Sequence, residues 1–248
     1  MSVKKITEEF IELNGFCLYT KRYEKSTDGP TVVFDAGYGD CSKSWNSIAP
    51  EVASMTNVIV YDRAGVGKSD SSPNPRTSEY IVKELHQLLR NSNANPPYIL
   101  VGHSFGGVNI RLYTTMFPEE VAAIVLIDST PEDYKERFLP TMDKNFQRAY
   151  NKQFVHEATY DEFMESLDQL TKNRRHLGNR SLIVLSAGKK SHYSKHSQEL
   201  WHNMQRETVN LSNQSELIIA HNSSHYIQND EPELLINAIK KVLRKHTY

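Results

Sequence analysis

The sequence is poor in cysteine, because Cys17 and Cys41 are the only two among its 248 residues. Two cysteines cannot build the disulfide framework of a small secreted domain, which excludes that class and favours a reducing compartment. Neither cysteine has an adjacent histidine or basic cluster that would activate a thiol. We therefore interpret both as small apolar side chains that pack.

Long apolar runs and a strong excess of one charge are also lacking. No stretch approaches the roughly 18 apolar residues of a transmembrane helix, and the opening MSVKKITEEF lacks the apolar core of a signal peptide. The formal net charge is −1 at pH 7. These absences predict a cytoplasmic protein with a small-molecule partner and no role for nucleic acid or a membrane.

Complete cofactor motifs are missing as well. YDRAGVGKSD, residues 61–70, ends like a phosphate-binding loop, but Asp62 stands where that loop needs a glycine. A carboxylate there would repel polyphosphate, so we predict no nucleotide site. His192, His196 and His202 have no Cys or carboxylate at convincing ligand spacing, and HExxH is absent, so we interpret them as solvated and predict no metal.

What is present is an alternation of short β-branched runs with longer amphipathic segments. This alternation predicts an α/β fold, with a mostly parallel sheet and helices on both faces. Asn14-Gly15 predicts an antiparallel hairpin at the sheet edge, over residues 10–22. The candidate strands are residues 31–35, 58–62, 98–102, 122–128, 181–186 and 216–220, and the candidate helices are residues 77–90, 106–117, 194–209 and 231–244.

The stretch from residue 131 to residue 180 interrupts this alternation. It has no strand-like run, is too long for an ordinary connection, and carries helical periodicity of its own. We predict a helical cap insertion at 131–180, over the carboxyl edge of a core formed by residues 1–130 and 181–248. The two apolar stripes are Phe138, Met142, Phe146, Tyr150 and Phe154, and then Tyr160, Phe163, Met164, Leu167 and Leu170.

The pattern that carries chemistry is GHSFG, residues 102–106, between a predicted strand and a predicted helix. In a strand, turn and helix context, G-x-S-x-G holds an exposed serine on a strained turn. We expect Gly102 and Gly106 to be small because side chains would collide across the turn. Ser104 then stands at a helix N-terminus, where the unpaired N–H groups favour developing negative charge.

At these residues the sequence resembles the α/β-hydrolase family, and the resemblance covers nearly the whole chain. DRAGVGKS, residues 62–69, is similar to the family's D-x-x-G-x-G-x-S turn after its fourth strand. The resemblance implies an eight-stranded sheet and a helical cap between the sixth and seventh strands. It also implies that the glycines of residues 62–69 shape a loop beside the active site and bind no phosphate.

A serine nucleophile needs a base and a group that orients the base, and the family's chain order is serine, acid, histidine. His225 follows the last predicted strand, in NSSHYIQNDE, and matches the family's base. His103 is better interpreted as an orienting or packing neighbour. The resemblance also implies that the backbone N–H groups of Tyr38 and Phe105 form the oxyanion hole, although Ala36-Gly37 replaces the family's frequent His-Gly pair.

The acid is where the sequence departs from the family's common pattern, which has an Asp just after the seventh strand. Here KKSHYSKH, residues 189–196, contains no carboxylate. Some members carry the acid after the sixth strand, and Asp128 follows that strand directly, so we predict Asp128. The alternative is that Asp128 caps the insertion or tethers a loop, with Glu199 as the acid.

Together these features predict a serine hydrolase that cleaves a small carboxylic ester or related acyl compound through an acyl-enzyme intermediate. No metal or organic cofactor is implied. A serine nucleophile argues against the haloalkane and epoxide branches of the family, which use an aspartate. Two alternatives remain open at this point: a small-ligand receptor with little turnover, and an acyltransferase that uses an acceptor other than water.

Overall fold

An eight-stranded sheet forms the centre of the computed structural model, which describes residues 5–25, 27 and 29–246. The strands lie in the order β1-β2-β4-β3-β5-β6-β7-β8. The expected mostly parallel eight-stranded sheet is therefore confirmed. The strands are β1 (Lys5–Leu13), β2 (Phe16–Glu24), β3 (Thr31–Asp35), β4 (Val58–Tyr61), β5 (Tyr98–His103), β6 (Val121–Ile127), β7 (Ser181–Ala187) and β8 (Gln214–Ala220).

The sheet edge is the expected antiparallel hairpin. β1 pairs with β2 across Asn14 and Gly15, whose φ angles of 49° and 99° are the positive values that such a turn requires. β2 pairs antiparallel with β4, and every later pairing in the sheet is parallel. The hairpin is longer than predicted and begins at Lys5, while residues 1–4 of the opening segment lie outside the described residues.

Helices cover both faces of the sheet, as predicted. Because successive side chains of a strand point to opposite faces, Val33 packs in one buried cluster and Phe34 in the other. The first cluster contains residues of α2, α3 and α6, and the second contains residues of α1 and α8. The helices are α1 (Ala49–Ala53), α2 (Ser78–Asn91), α3 (Phe105–Met116), α4 (Lys144–Lys152), α5 (Tyr160–Lys172), α6 (Lys195–Val209), α7 (Ile227–Asp230) and α8 (Pro232–Leu243).

The β6–β7 segment, residues 131–180, contains α4 and α5. The stripe from Tyr160 lies in α5, as predicted, but the stripe from Phe138 to Phe154 does not form one helix. A π turn and a 3₁₀ turn precede α4, because Pro140 has no N–H and Asp143 starts a new helix by accepting bonds from two α4 amides. The division into a core and a cap domain stays a prediction.

Among residues 5–25, 27 and 29–246, no helix is both long enough and apolar enough to cross a bilayer.

Candidate active site

The sheet brings the predicted site residues together at the carboxyl ends of its parallel strands. Ser104 directly follows β5, Asp128 directly follows β6, and His225 lies in the loop between β8 and α7. Tyr38 lies in the loop after β3. Carboxyl ends of parallel strands meet at one sheet edge, which is where ligands bind in open α/β sheets.

Ser104 stands on the strained turn that its motif predicts. Its φ of 51° and ψ of −114° are unusual for a residue with a Cβ, and its N–H donates to the Ile127 carbonyl at 3.0 Å. A Cβ at Gly102 would lie 2.6 Å from the Gly106 carbonyl oxygen, so that collision is across the turn. The collision expected at Gly106 is different, because a Cβ there would meet the Asp35 carbonyl of β3, at 2.3 Å.

Asp128 and His225 form a direct hydrogen-bonded pair. His225 Nδ1 lies 2.6 Å from Asp128 Oδ2, and the Asp128 side chain is fully buried. The other carboxylate oxygen, Oδ1, accepts from Trp201 Nε1 at 2.6 Å and from the Ala187 N–H at 3.0 Å. Glu199 is exposed on α6, and no bond between it and His225 occurs in the described part of the chain.

Lys190, which was not among the residues predicted from the sequence, also contacts Asp128. Its Nζ lies 2.5 Å from Asp128 Oδ2. Burial alone would raise the pKa of Asp128, but the charge of Lys190 and the hydrogen bond from His225 hold it well below its usual range. The available signal was KKSHYSKH, in which lysines follow β7 where the common pattern has an acid.

His103 supports the loop that carries His225. Its Nε2 donates to the His225 carbonyl oxygen at 2.9 Å, and the two ring centroids are 4.6 Å apart. Burial lowers the pKa of His103 to about 3, so the ring is neutral at physiological pH. With Nε2 protonated, Nδ1 carries no proton and faces Asp40 Oδ2 at 4.0 Å. This geometry fits the orienting or packing neighbour expected for His103.

Ser104 and His225 line one cavity of about 310 Å³. Within the described residues the two side chains share no hydrogen bond, and such contacts often tighten only when substrate binds. The cavity is also rich in aromatic rings. Its aromatic lining consists of Tyr38, Tyr134, Phe146, Tyr150, Phe154, Phe163, Tyr193 and Trp201.

Tyr38 joins the loop after β3 to the β6–β7 segment. Its hydroxyl donates to the Ala158 carbonyl at 2.7 Å, and its ring lies 5.1 Å from that of Phe154. Neither the Tyr38 nor the Phe105 N–H has a hydrogen-bond partner among the described residues. Their role as oxyanion donors stays a prediction.

Arg63 and Glu157, neither of which was predicted to have a role, hold the Tyr38 loop through hydrogen bonds. Arg63 donates to the carbonyls of Ala36 at 2.7 Å and Gly37 at 2.6 Å. Glu157, from the β6–β7 segment, accepts from Arg63 Nη2 at 2.6 Å and from the Gly39 N–H at 2.8 Å. The Glu157 side chain is fully buried. The hydrophobic periodicity of the sequence carries no signal for this ion pair.

The turn at residues 62–69 is organised by its own carboxylate. Asp62 accepts from the N–H groups of Ser42 at 2.7 Å and Lys68 at 2.8 Å. A Cβ at Gly67 would lie 2.1 Å from Asp62 Oδ2, which explains the glycine. The Lys68 N–H is thus already bonded to Asp62. Arg63 directly follows Asp62, so this turn also positions the arginine that supports the Tyr38 loop.

Within the part of the chain that the structure describes, His192, His196 and His202 do not belong to a cluster of metal-ligating side chains. His192 and His196 are exposed as expected, but His202 is half-buried and its Nε2 lies 3.1 Å from the Ala187 carbonyl oxygen, so it is not a solvated side chain. In the described ranges of the chain, no group of three or more His, Cys, Asp or Glu residues could hold a metal ion. The absence of a metal stays a prediction.

Known proteins resemble this chain over most of its length. A family model described as the α/β hydrolase fold matches residues 30–238. The uncharacterized protein YqjL of Bacillus subtilis strain 168 is 37% identical over 227 residues, covering 91% of this chain and 88% of YqjL.

Solved structures show the same fold at low sequence identity. A protein described as a predicted CIB-like hydrolase, from Thermoplasma acidophilum, superposes with a TM-score of 0.72 at 16% identity, covering 97% of this chain and 99% of its own. A thermophilic esterase from Thermogutta terrifontis, with malate bound, gives a TM-score of 0.67 at 18% identity, covering 98% of this chain and 100% of its own.

Proposed function

Because the chain belongs to the α/β-hydrolase fold family, we propose that it is a serine hydrolase that cleaves a small carboxylic ester or a related acyl compound. The observation that carries this proposal is the 2.6 Å contact between His225 Nδ1 and the buried Asp128 Oδ2, because His225 lines one cavity together with the strained Ser104. A serine, a histidine and a buried carboxylate in this arrangement are the parts of a nucleophilic triad.

In the first half of the reaction, Ser104 Oγ attacks the acyl carbon while His225 Nε2 accepts the hydroxyl proton. Asp128 accepts the Nδ1 hydrogen of His225, which leaves Nε2 free as the base. The resulting imidazolium then donates its proton to the leaving alkoxide as the acyl–oxygen bond breaks. The acyl group remains esterified to Ser104.

In the second half, His225 removes a proton from water and the hydroxide attacks the acyl carbon. The bond to Ser104 Oγ breaks, and the imidazolium returns a proton to that oxygen, which regenerates the enzyme and releases the carboxylic acid. The free N–H groups of Tyr38 and Phe105 serve as the oxyanion hole in both halves. Phe105 is the first residue of α3, so the positive end of the helix supports the same charge.

The β6–β7 segment acts as a cap that shapes the acyl site. Tyr134, Phe146, Tyr150 and Phe154 come from this segment and line the cavity near Ser104. Apolar walls of this kind accept an alkyl or acyl group and exclude water from the acyl-enzyme. An apolar acyl chain on the cap side and a small leaving group fit the cavity of about 310 Å³.

Hydrolysis of p-nitrophenyl butyrate by the wild-type protein, Ser104→Ala and Ser191→Ala tests the proposal. Ser191 lines the same cavity and is a matched control. We expect multiple turnover by wild type, a loss of at least about 10³-fold in kcat for Ser104→Ala, and little change for Ser191→Ala.

Three outcomes would contradict the proposal. Residual activity of folded Ser104→Ala near the wild-type level would remove Ser104 as the nucleophile. Tight binding of the ester without turnover by wild type would identify a receptor. Turnover that requires an added acceptor alcohol would identify an acyltransferase.

A further inference from the structure

Lys190 places its ammonium group on the same carboxylate oxygen as the proposed base. Its Nζ lies 2.5 Å from Asp128 Oδ2, and His225 Nδ1 lies 2.6 Å from that oxygen. The Lys190 side chain is only 7% exposed, and its Nζ lies 3.6 Å from the centre of the Trp201 ring. A catalytic carboxylate with one histidine partner does not need this second cation, so its presence calls for a function of its own.

We propose that Lys190 is a positioning residue that acts through Asp128 and keeps His225 unprotonated, and therefore able to accept the Ser104 proton, at lower pH. This inference rests on the proposed function. Asp128 alone would attract a proton to His225, because a carboxylate stabilises the imidazolium. Lys190 offsets that negative charge. Protonation of His225 would therefore place a second cation on the same carboxylate, and the protonated form is disfavoured.

The geometry gives Lys190 a second effect, on the orientation of the acid. Trp201 Nε1 and the Ala187 N–H hold Oδ1 of Asp128, while Lys190 Nζ holds Oδ2. Donors other than His225 therefore contact both carboxylate oxygens. The carboxylate is kept in the orientation that His225 needs throughout the reaction, including the step in which the imidazole changes its charge.

The other titratable groups around His225 do not supply this positive charge. His103, at the end of β5, is neutral because burial lowers its pKa to about 3. Asp40, after β3, lies beyond His103, and burial raises its pKa. Tyr226 follows His225, and burial raises its pKa as well. Among these neighbours Lys190 is the cation that shares a contact atom with His225.

The surroundings of Lys190 are consistent with a charge held by one carboxylate. Its Nζ also donates to the Tyr193 hydroxyl at 3.3 Å and lies over the Tyr193 ring at 4.8 Å from its centre. Burial lowers the pKa of Lys190, although Asp128 favours the charged form. Removal of Asp128 would leave the ammonium with a hydroxyl and aromatic faces, which is why the two residues form one unit.

The pH dependence of kcat/KM, measured from about pH 5 to about pH 9 with a p-nitrophenyl ester, tests this role. The variants are Lys190→Met, which removes charge and hydrogen bond, and Lys190→Gln, which removes the charge but keeps a donor. Lys189→Met is the matched control, because Lys189 is the exposed neighbour. In both Lys190 variants we expect the acid limb to move to higher pH by about one pH unit, and in the control by less than about 0.2.

A larger fall of kcat at the plateau in Lys190→Met than in Lys190→Gln would support the orienting effect. An unmoved acid limb in an active, folded Lys190→Gln would overturn the proposal. So would a rise of KM with an unmoved limb, which would make Lys190 a substrate-binding residue. Failure of both variants to fold would assign Lys190 a structural role and would also overturn it.

The test separates this inference from the proposed function. If the wild type is active and substitution of Lys190 does not move the acid limb of the pH profile, only the role of Lys190 is contradicted. An inactive wild type contradicts the proposed function and the role of Lys190 together.

Discussion

The two walls of the cavity are built in different ways. The strand-end wall carries Ser104 and His225, with Asp128 behind them, and is made of hydrogen-bonded groups at the ends of β5, β6 and β8. The cap wall consists of Tyr134, Phe146, Tyr150 and Phe154 from the β6–β7 segment. For the proposed hydrolase, the first wall would supply the polar groups of the reaction and the second the apolar surface that selects substrate shape.

The support behind each wall follows the same difference. The Asp128 N–H donates to the Leu185 carbonyl at 2.7 Å and the Ser104 N–H to the Ile127 carbonyl at 3.0 Å, so strand pairing fixes both backbones. The rings of the cap wall contact one another, with Tyr150 lying 4.9 Å from Tyr134. Directional bonds do not tolerate substitution, whereas an apolar cluster can repack. Substitutions on the two walls should therefore have different kinetic signatures.

After loss of the nucleophile itself, the largest effect is expected on the strand-end wall, from Asp128→Asn. An amide beside His225 can stabilise the wrong tautomer, so we expect kcat to fall by at least about 10²-fold with KM little changed. Steady-state kinetics at several ester chain lengths should show the same loss for each ester. A folded variant with nearly wild-type kcat would remove Asp128 as the acid.

A smaller effect is expected where the two walls are joined, from Glu157→Gln. Glu157 is buried against Arg63, which also pairs with the buried Asp35, so loss of the Glu157 charge weakens its hydrogen bonds without leaving Arg63 unpaired and should lower the free energy of unfolding by about 2 kcal/mol. The Tyr38 loop would also lose part of its support, and we expect kcat to fall by about tenfold. Urea unfolding and ester kinetics measure both quantities.

Glu207→Gln is the matched control for Glu157→Gln. Glu207 also pairs with an arginine, Arg137, but both side chains are exposed, at 49% and 38%. An exposed pair contributes at most about 1 kcal/mol, so stability and kcat should change little. Equal effects of the two substitutions would contradict the view that Glu157 connects the walls.

Tyr150→Ala should alter selection on the cap wall and leave the chemistry intact. Loss of one lining ring widens the apolar site, so the ratio of kcat/KM for octanoate to that for butyrate p-nitrophenyl esters should rise about three- to tenfold. The kcat for butyrate should stay within about threefold of wild type. Tyr80→Ala, at an exposed position on α2, is the control. An unchanged ratio would count against a cap that shapes the acyl site.

The smallest effect is expected from Glu199→Gln, because Glu199 belongs to neither wall. Glu199 is exposed on α6, and its loss should change kcat by less than about threefold. The same ester assay used for Asp128→Asn measures it. If Glu199→Gln were the more damaging of the two, the acid assignment would be wrong.

The sequence predicted the strand-end wall better than the cap wall. G-x-S-x-G and the position of His225 after the last strand are short, local patterns, so Ser104 and His225 can be located from the sequence alone. Asp128 could be proposed as the acid because no carboxylate follows β7, and its role stays a prediction. Lys190 lies in that same stretch, whose lysines after β7 were the available signal, but which side chain a loop lysine contacts depends on tertiary packing.

The cap wall shows why periodicity alone was not enough. Four-residue spacing from Phe138 to Phe154 indicated helical structure, and the structure divides this stripe at Pro140 and Asp143, two local signals that the periodicity concealed. The stripe of α5 has its own capping box at Thr159 and was predicted correctly. Contacts between distant segments, such as Arg63 with Glu157, have no local signature at all.

Mass mapping of a fluorophosphonate adduct tests the central claim most directly, since it depends on the nucleophile and needs no knowledge of the natural substrate. The account predicts one adduct, on the peptide that contains Ser104, formed by wild type and Ser191→Ala and lost in folded Ser104→Ala. An adduct on another residue, or unchanged labelling of Ser104→Ala, would contradict the assignment of Ser104 as the nucleophile.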